Sequence, residues 1–262
     1  MSIIPNHTKR QLQAGKLALG IGVRLSRTVD IAQIAKTCGF DWLFIDAEHS
    51  AIDLDTAAQI SSAAVGTGIT PLVRVAGMEH HHSTRVLDNG AQGVVIPHVD
   101  TAEQARRIAS FTRFPPIGHR SIGGAMPQTR FEALPIGETM RLCNEETLVV
   151  CMVETPAAVE NCDAMAAVPG IDVLLIGTND LCAEMGIPGK FDDPRVVDAY
   201  TRVIAACKKH GKFAGMGGVY TPDLMKKYIA MGMQFILSGA DLSFMMAAAR
   251  ERATLLRGLE TR

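Results

Sequence analysis

The chain has 262 residues, with 26 lysines and arginines against 27 aspartates and glutamates, for a net charge of −1. That balance excludes the electrostatic footprint of a nucleic-acid binder and leaves small molecules as the expected partners. Hydrophobic residues make up 47% and aromatics 5%, so the core is expected to be mainly Ala, Val, Ile, Leu and Met. No run approaches the ~20 apolar residues of a membrane span.

Residues 1–15 are polar and lack the apolar stretch of a signal peptide, so the chain reads as soluble and not exported. Cys38, Cys143, Cys151, Cys162, Cys182 and Cys207 are scattered without a Cys-x-x-Cys pair. That spacing indicates neither a zinc knuckle nor a disulfide framework and suits a reducing cytoplasm.

From about residue 17 onward, strand-length apolar runs alternate with helix-length amphipathic stretches. The runs are 18–25, 42–46, 71–75, 93–99, 148–154, 173–177, 213–219 and 235–239. Several of the following helices open on a capping residue, such as Thr101 before Ala102-Glu103 or Thr221 before Pro222-Asp223. Repetition of this kind over ~250 residues predicts one domain over residues 1–262, a (β/α)₈ TIM barrel with a short N-terminal helix. A doubly wound sheet would have fewer strands and a glycine-rich turn after the first, where this chain has Leu25-Ser26-Arg27. The segment 113–147 is too long for an ordinary connection, and such insertions are often functional loops.

In a barrel of this kind the chemistry lies at the C-terminal ends of the strands. There the second run leads into Asp46-Ala47-Glu48-His49, the third ends near Arg74, the fifth ends at Glu154, and the sixth is followed by Thr178-Asn179-Asp180. The fourth adds His98 and Asp100, and the eighth adds Asp241. Glu154 and Asp180 form a reasonable pair for a hard divalent ion, and equally fit as helix caps or arginine partners. Arg74 is placed either to meet a carboxylate or oxyanion in the barrel mouth, or to form an ion pair with Asp46 or Glu48. His49, after an acidic cluster, has the chemistry of a general base.

The run His80-His81-His82 reads as a solvated helix start, since consecutive helical residues do not face one ligand. Glycines after the seventh and eighth runs suit either a phosphate or close backbone packing. All nine lysines fall outside the strand ends and no Gly-x-Ser-x-Gly elbow occurs. Schiff-base and serine-hydrolase chemistry are therefore not indicated, and a barrel that makes enolates would need a metal to stabilise them.

Six stretches, taken in order, resemble the HpcH/HpaI family of class II pyruvate aldolases. They are Phe40-Asp41-Trp42-Leu43-Phe44-Ile45-Asp46-Ala47-Glu48-His49, Leu72-Val73-Arg74-Val75, Leu87-Asp88-Asn89-Gly90-Ala91, the loop 115–123 that contains Arg120, Val153-Glu154-Thr155, and Ile176-Gly177-Thr178-Asn179-Asp180-Leu181. The resemblance implies that Glu154 and Asp180 hold a divalent ion (Mg²⁺, Mn²⁺ or Co²⁺), that Arg74 contacts the keto or enolate oxygen, and that His49 and Asp88 form a proton-transferring dyad. It also implies that backbone amides near Asn179 and Asp180 receive the pyruvate carboxylate, and that the protein is a hexamer of paired subunits exchanging their last helices. Phe244-Met245-Met246 would supply apolar contact there, or be buried in the subunit's own core. Where the family commonly carries Gln two positions before the metal glutamate, this chain has Met152; where it carries Pro and a small residue, this chain has Thr178 and Asn179. These departures lie close to the expected site of pyruvate and Gly177.

The activity implied is reversible cleavage of a 4-hydroxy-2-oxo acid to pyruvate or hydroxypyruvate plus an aldehyde. Decarboxylation of oxaloacetate through the same enolate is a second possibility, and a non-catalytic barrel that binds a small acid is a third, since fold does not fix function.

Overall fold

The computed structural model describes residues 3–260. Eight parallel strands close into a barrel in sequence order: β1 (Ala18–Val23), β2 (Trp42–Asp46), β3 (Thr70–Arg74), β4 (Gly93–Ile96), β5 (Leu148–Val153), β6 (Val173–Gly177), β7 (Phe213–Gly217) and β8 (Phe235–Ala240). The ring is closed by β1 against β8, with Ala18 opposite Phe235 and Leu19 opposite Ile236. The helix His7–Gln13 precedes β1 and buries Leu12 among the barrel's inner side chains. It opens on Asn6, whose side chain accepts from the Lys9 amide.

Alternation along each strand divides the apolar residues between two cores. Trp42, Phe44, Leu72, Val95, Val150, Met152, Leu175 and Phe235 pack together inside the barrel. Their neighbours Leu43, Ile45, Val73, Val94, Cys151, Leu174 and Ile236 pack outward against the helices. The inner core contains more aromatic bulk than the composition suggests: Trp42 stacks on Phe235 at 4.0 Å, and a Cβ on Gly20 would stand 2.2 Å from the indole. Glycine at that position makes room for the ring. All six cysteines are free, and no helix among the described residues is long and apolar enough to cross a membrane.

Three strands end clearly earlier than the sequence expectation. β1 stops at Val23 because the next three backbone amides turn to the Asp241 carboxylate. β4 stops at Ile96 because His98 turns into the left-handed region at φ 51°, and β7 stops before Gly218 at φ 89°. Thr101 makes the expected cap, completed by Gln104, whereas the Thr221 side chain makes no capping bond and Pro222 opens that helix.

The long segment expected to be a functional loop builds the end of the barrel where strands begin. Gln128 donates to the carbonyls of Leu87 and Ala91, and the helix Ile136–Glu146 leads into β5. Buried Arg113 donates to the carbonyls of Gly170, Asn144 and Thr147 and pairs with Asp172, which also meets Lys9 at 3.1 Å. Burial pushes the Asp172 carboxyl up, but Arg113 and Lys9 outweigh it and hold the group below the usual carboxylate range. The stabilisation is therefore complete at neutral pH and lost as the pH falls through the lowered folded value. Asp172→Asn leaves Arg113 without its counter-charge, and an expected loss of about 3–5 kcal/mol follows. Urea unfolding across a pH series checks this: the gap to wild type should be full at pH 7 and shrink in acid. A gap under 1 kcal/mol at pH 7 or one that grows in acid contradicts it.

Candidate active site

The polar residues at the strand ends continue the inward-facing rows. Positions 42, 44 and 46 of β2 share one face, as do 70, 72 and 74 of β3, so Asp46 and Arg74 point into the barrel mouth above Phe44 and Leu72. Arg74 Nε and Nη2 donate to the two Asp46 oxygens at 3.0 and 2.6 Å, while Nη1 lies 2.9 Å from Glu48 Oε2. The guanidinium also lies over the Phe44 ring at 5.0 Å. Asp46 accepts further from the amides of Glu48 and His49. Burial pushes the Asp46 carboxyl up, yet these bonds, led by Arg74, hold it below its ordinary value. The ion pair foreseen for Arg74 is thus formed with both acids, and the same guanidinium still lines the cavity.

His49 stands half exposed at the rim, with Nε2 3.7 Å from Glu48 Oε2. That Glu48 oxygen is buried and makes no aligned hydrogen bond despite its closeness to Arg74.

Glu154 lies one residue beyond β5 and is buried. Its Oε2 accepts from the backbone amide of His98 at 2.8 Å, which the left-handed turn at His98 aims at the carboxylate. A bulky residue rarely adopts that conformation. Gly177 packs against the same carboxylate, since a Cβ there would stand 2.6 Å from Glu154 Oε1. Burial pushes the Glu154 carboxyl up, and the charges of Asp180 and Glu48 add to the rise. Asp180 and Asn179 stand exposed in the first turn of the helix Thr178–Glu184. Thr178 is buried, donating to the Gly217 carbonyl at 2.7 Å and sharing a hydrogen bond with Tyr200 at 2.8 Å.

A cavity of about 190 Å³ opens here, lined by Arg24, Phe44, Asp46, His49, Arg74, Met152, Gly177, Thr178, Asn179, Asp180 and Tyr220, with glycines of β7 and β8. No lysine lines it among the described residues. Glu154 sits behind its wall, against Gly177. Among the described residues no group of three or more His, Cys, Asp and Glu gathers as a metal cage. Glu154 and Asp180, close enough for the charge of one to raise the other, are oxygen donors of the kind that could hold a hard cation. Crowding of Glu154 by two further carboxylates fits such a cation, because Arg74 is already engaged by Asp46 and Glu48.

Other expected residues are not brought together. Asp88 ends the helix that feeds β4, so it lies at the opposite end of the barrel from His49, and its carboxylate accepts from Arg120 at 2.6 Å. The dyad of His49 and Asp88 does not form within one chain. Gly218, just after β7, abuts the Asn179 side-chain amide, and Gly239 of β8 abuts the Phe244 ring, so both make close packing. His80 and His81 are exposed, as a solvated helix start requires.

Two cavity residues, Arg24 and Tyr220, escaped the sequence reading. Arg24 stands two positions beyond inward-facing Gly22, and extending that alternation past the strand would have found it. Tyr220 follows the turn at Gly218, where alternation no longer applies.

The family description HpcH/HpaI aldolase/citrate lyase matches residues 24–248. A 4-hydroxy-4-methyl-2-oxoglutarate aldolase of Hapsidospora irregularis is 37% identical over 261 residues, covering 97% of this chain and 96% of that protein. A hydroxypyruvate/pyruvate aldolase of Cupriavidus necator is 33% identical over 253 residues, covering 96% and 93%. The crystal structure of an HpcH/HpaI aldolase from Desulfitobacterium hafniense superimposes with a TM-score of 0.91 at 29% identity, covering 96% of this chain and 97% of that one. With both sequence and barrel in agreement over nearly their full lengths, this chain belongs to the HpcH/HpaI aldolase/citrate lyase family.

Proposed function

We propose that this protein is a one-domain, metal-dependent aldolase that reversibly cleaves 4-hydroxy-2-oxo acids to pyruvate or hydroxypyruvate and a carbonyl partner. The observation that carries this reading is one lysine-free cavity lined by Arg74, His49 and Asp180, with the Glu154 carboxylate packed against its Gly177 wall. The substrates named for the relatives of H. irregularis and C. necator suit the same chemistry.

Glu154 and Asp180 would hold a divalent ion (Mg²⁺, Mn²⁺ or Co²⁺), which would supply the positive charge needed to polarise the keto group. His49 takes the proton of the C4 hydroxyl. The C4–O bond gains double-bond character, the C3–C4 bond breaks, and its electrons pass into the enolate of the 2-oxo acid. Arg74, held rigid by Asp46 and Glu48, directs its guanidinium at the oxygen where that charge develops. The proton taken up by His49 balances the one that C3 then receives, which gives the methyl or hydroxymethyl group of the product. Phe44, Met152, Leu175 and Leu237 supply an apolar floor that limits water around the enolate, and Gly177 and Asn179 border the same space.

The final helix, Asp241–Gly258, has no buried residue and exposes Leu242, Phe244, Met245, Met246, Leu255 and Leu256. Burial in the subunit's own core is thereby excluded for this helix, and an apolar face of that extent suits exchange between paired copies in a hexamer. Asp88, locked to Arg120, can then reach His49 only across a contact between copies. Six free cysteines suit a reducing cytoplasm.

Pyruvate alone should exchange its methyl protons in deuterated water when enzyme and a divalent ion are present, with exchange stopping on chelation and returning with metal. Exchange that persists after thorough chelation, or a lysine adduct trapped by borohydride, contradicts the metal-dependent reading. Calorimetric titration of Glu154→Ala and Asp180→Ala should find active-site metal affinity abolished in folded protein; undiminished affinity in both places the ion elsewhere. Arg74→Lys keeps the charge but loses the planar fork, and kcat is expected to fall ~10²–10³. Steady-state kinetics near wild type would reduce Arg74 to a structural ion pair.

A further inference from the structure

We propose that Tyr200 is a positioning residue of the active site, holding through the Thr178 hydroxyl the helix turn that presents Asn179 and Asp180. The proposal rests on the aldolase reading above in one respect, that Asp180 meets the metal.

The turn starts without the usual fastening. The helix Thr178–Glu184 has Gly177 at its N-cap, and no side chain caps its first amides. A serine, threonine or aspartate there would do so, but Gly177 packs on Glu154, where a Cβ would stand 2.6 Å from Oε1. The carboxylate behind the cavity thus excludes the residue types that would anchor the neighbouring helix. With only 7 residues the helix also has little stability of its own. Asp180, exposed in its first turn, depends on another tie.

Thr178 supplies that tie. Strands β6 and β7 stay paired up to Gly177 opposite Gly217. One residue further, the Thr178 hydroxyl donates to the Gly217 carbonyl at 2.7 Å and shares a hydrogen bond with the Tyr200 hydroxyl at 2.8 Å. A hydroxyl carries one proton, so with Thr178 donating to Gly217, Tyr200 is the donor to Thr178. The order Tyr200 to Thr178 to Gly217 is therefore fixed. Both side chains are fully buried, and burial pushes the Tyr200 phenol up, so it keeps its proton at any working pH. Hydrogen bonds in series strengthen one another in such surroundings.

Tyr200 is itself held in place. It lies on the helix Pro194–Lys209 and stacks on Tyr228 with ring centroids 3.7 Å apart. It stands behind the residues that line the cavity, Thr178 among them, so it reaches the site only through Thr178. Tyr228 provides an internal comparison. Its ring belongs to the same stack and its hydroxyl donates to the Phe191 carbonyl at 2.5 Å, with no connection to the turn.

Tyr200→Phe and Tyr228→Phe each remove one hydroxyl and keep the stacked rings. Backbone amide exchange over residues 178–184, measured without metal, should run about three- to tenfold faster in Tyr200→Phe than in Tyr228→Phe, the range set by one buried hydrogen bond. Calorimetric titration with Mn²⁺ should show affinity lowered by about the same factor in Tyr200→Phe and within about twofold of wild type in Tyr228→Phe. Thr178→Ser keeps the hydroxyl and should match wild type in both measurements. Thr178→Val should lose at least as much as Tyr200→Phe, and combining the two should add little, because the hydroxyls act as one unit. Equal exchange in the two tyrosine variants overturns the proposal, as does faster exchange with unchanged Mn²⁺ affinity. If Tyr200→Phe does not fold, Thr178→Val against Thr178→Ser decides, and equal behaviour of those two overturns it. A wild-type protein that binds no Mn²⁺ overturns the metal reading instead, and the exchange comparison then decides alone whether Tyr200 holds the turn.

Discussion

The two-residue period of a β-strand governs this molecule. Side chains alternate between the inside of the barrel and its helical coat, so once Trp42, Leu72 and Val150 are committed to the inner core, the residues at even offsets beyond them must face the mouth. Asp46 and Arg74 occupy the top of two such rows, and Glu154 continues a third past Met152. A one-residue slip would exchange these polar groups with Ile45, Val73 and Val153, placing charge against the helices and apolar groups in the cavity. Apolar packing of the inner core therefore also sets the geometry of the site.

Charge at the mouth is unevenly satisfied. Asp46 is saturated by Arg74 and backbone amides, whereas Glu48 has a buried oxygen without an aligned donor and Glu154 is raised by burial beside two other carboxylates. Residues held this way are costly unless something else in the working protein compensates them. The hard cation proposed at Glu154 and Asp180 would relieve one part of that excess. The strained turn at His98 serves the same carboxylate, by turning a backbone amide toward it.

Particular residues mark how far the sequence could be read. Each barrel strand lies within or beside an apolar run recognisable in the sequence, because strands buried on both faces are near-continuous hydrophobic stretches. Glu154, Asp180 and Arg74 stand out as polar residues ending such runs. Arg24 did not, because its run was carried two residues too far; the end of β1 is set by Asp241, more than 200 positions away, and no local pattern encodes that contact. Asp88 was placed by resemblance alone, and its partner in the chain is Arg120 from the long segment, which the sequence presented as an insertion without a location. Within the chain that segment also builds the end where strands begin, where Arg113 and Gln128 satisfy carbonyls, a role invisible until the barrel closes.

The two ends of the barrel follow opposite electrostatic rules. Where the strands begin, Arg113 and Lys9 each pair with Asp172 and donate to backbone carbonyls, and Asp172 accepts from the Val149 amide, so the charges there stabilise the fold and have little capacity left for a ligand. Where the strands end, Arg24 keeps free donors and Glu48 a free acceptor, while Arg74 keeps its contacts yet borders the cavity. Both ends use arginine and carboxylate; what separates them is whether the protein itself completes their hydrogen bonds. An incomplete set is able to discriminate between ligands, because one lacking the matching charge leaves such groups desolvated and unpaired. The incompletely paired groups are thus gathered at the end where the strands finish, and the packing that fixes the other end leaves them there.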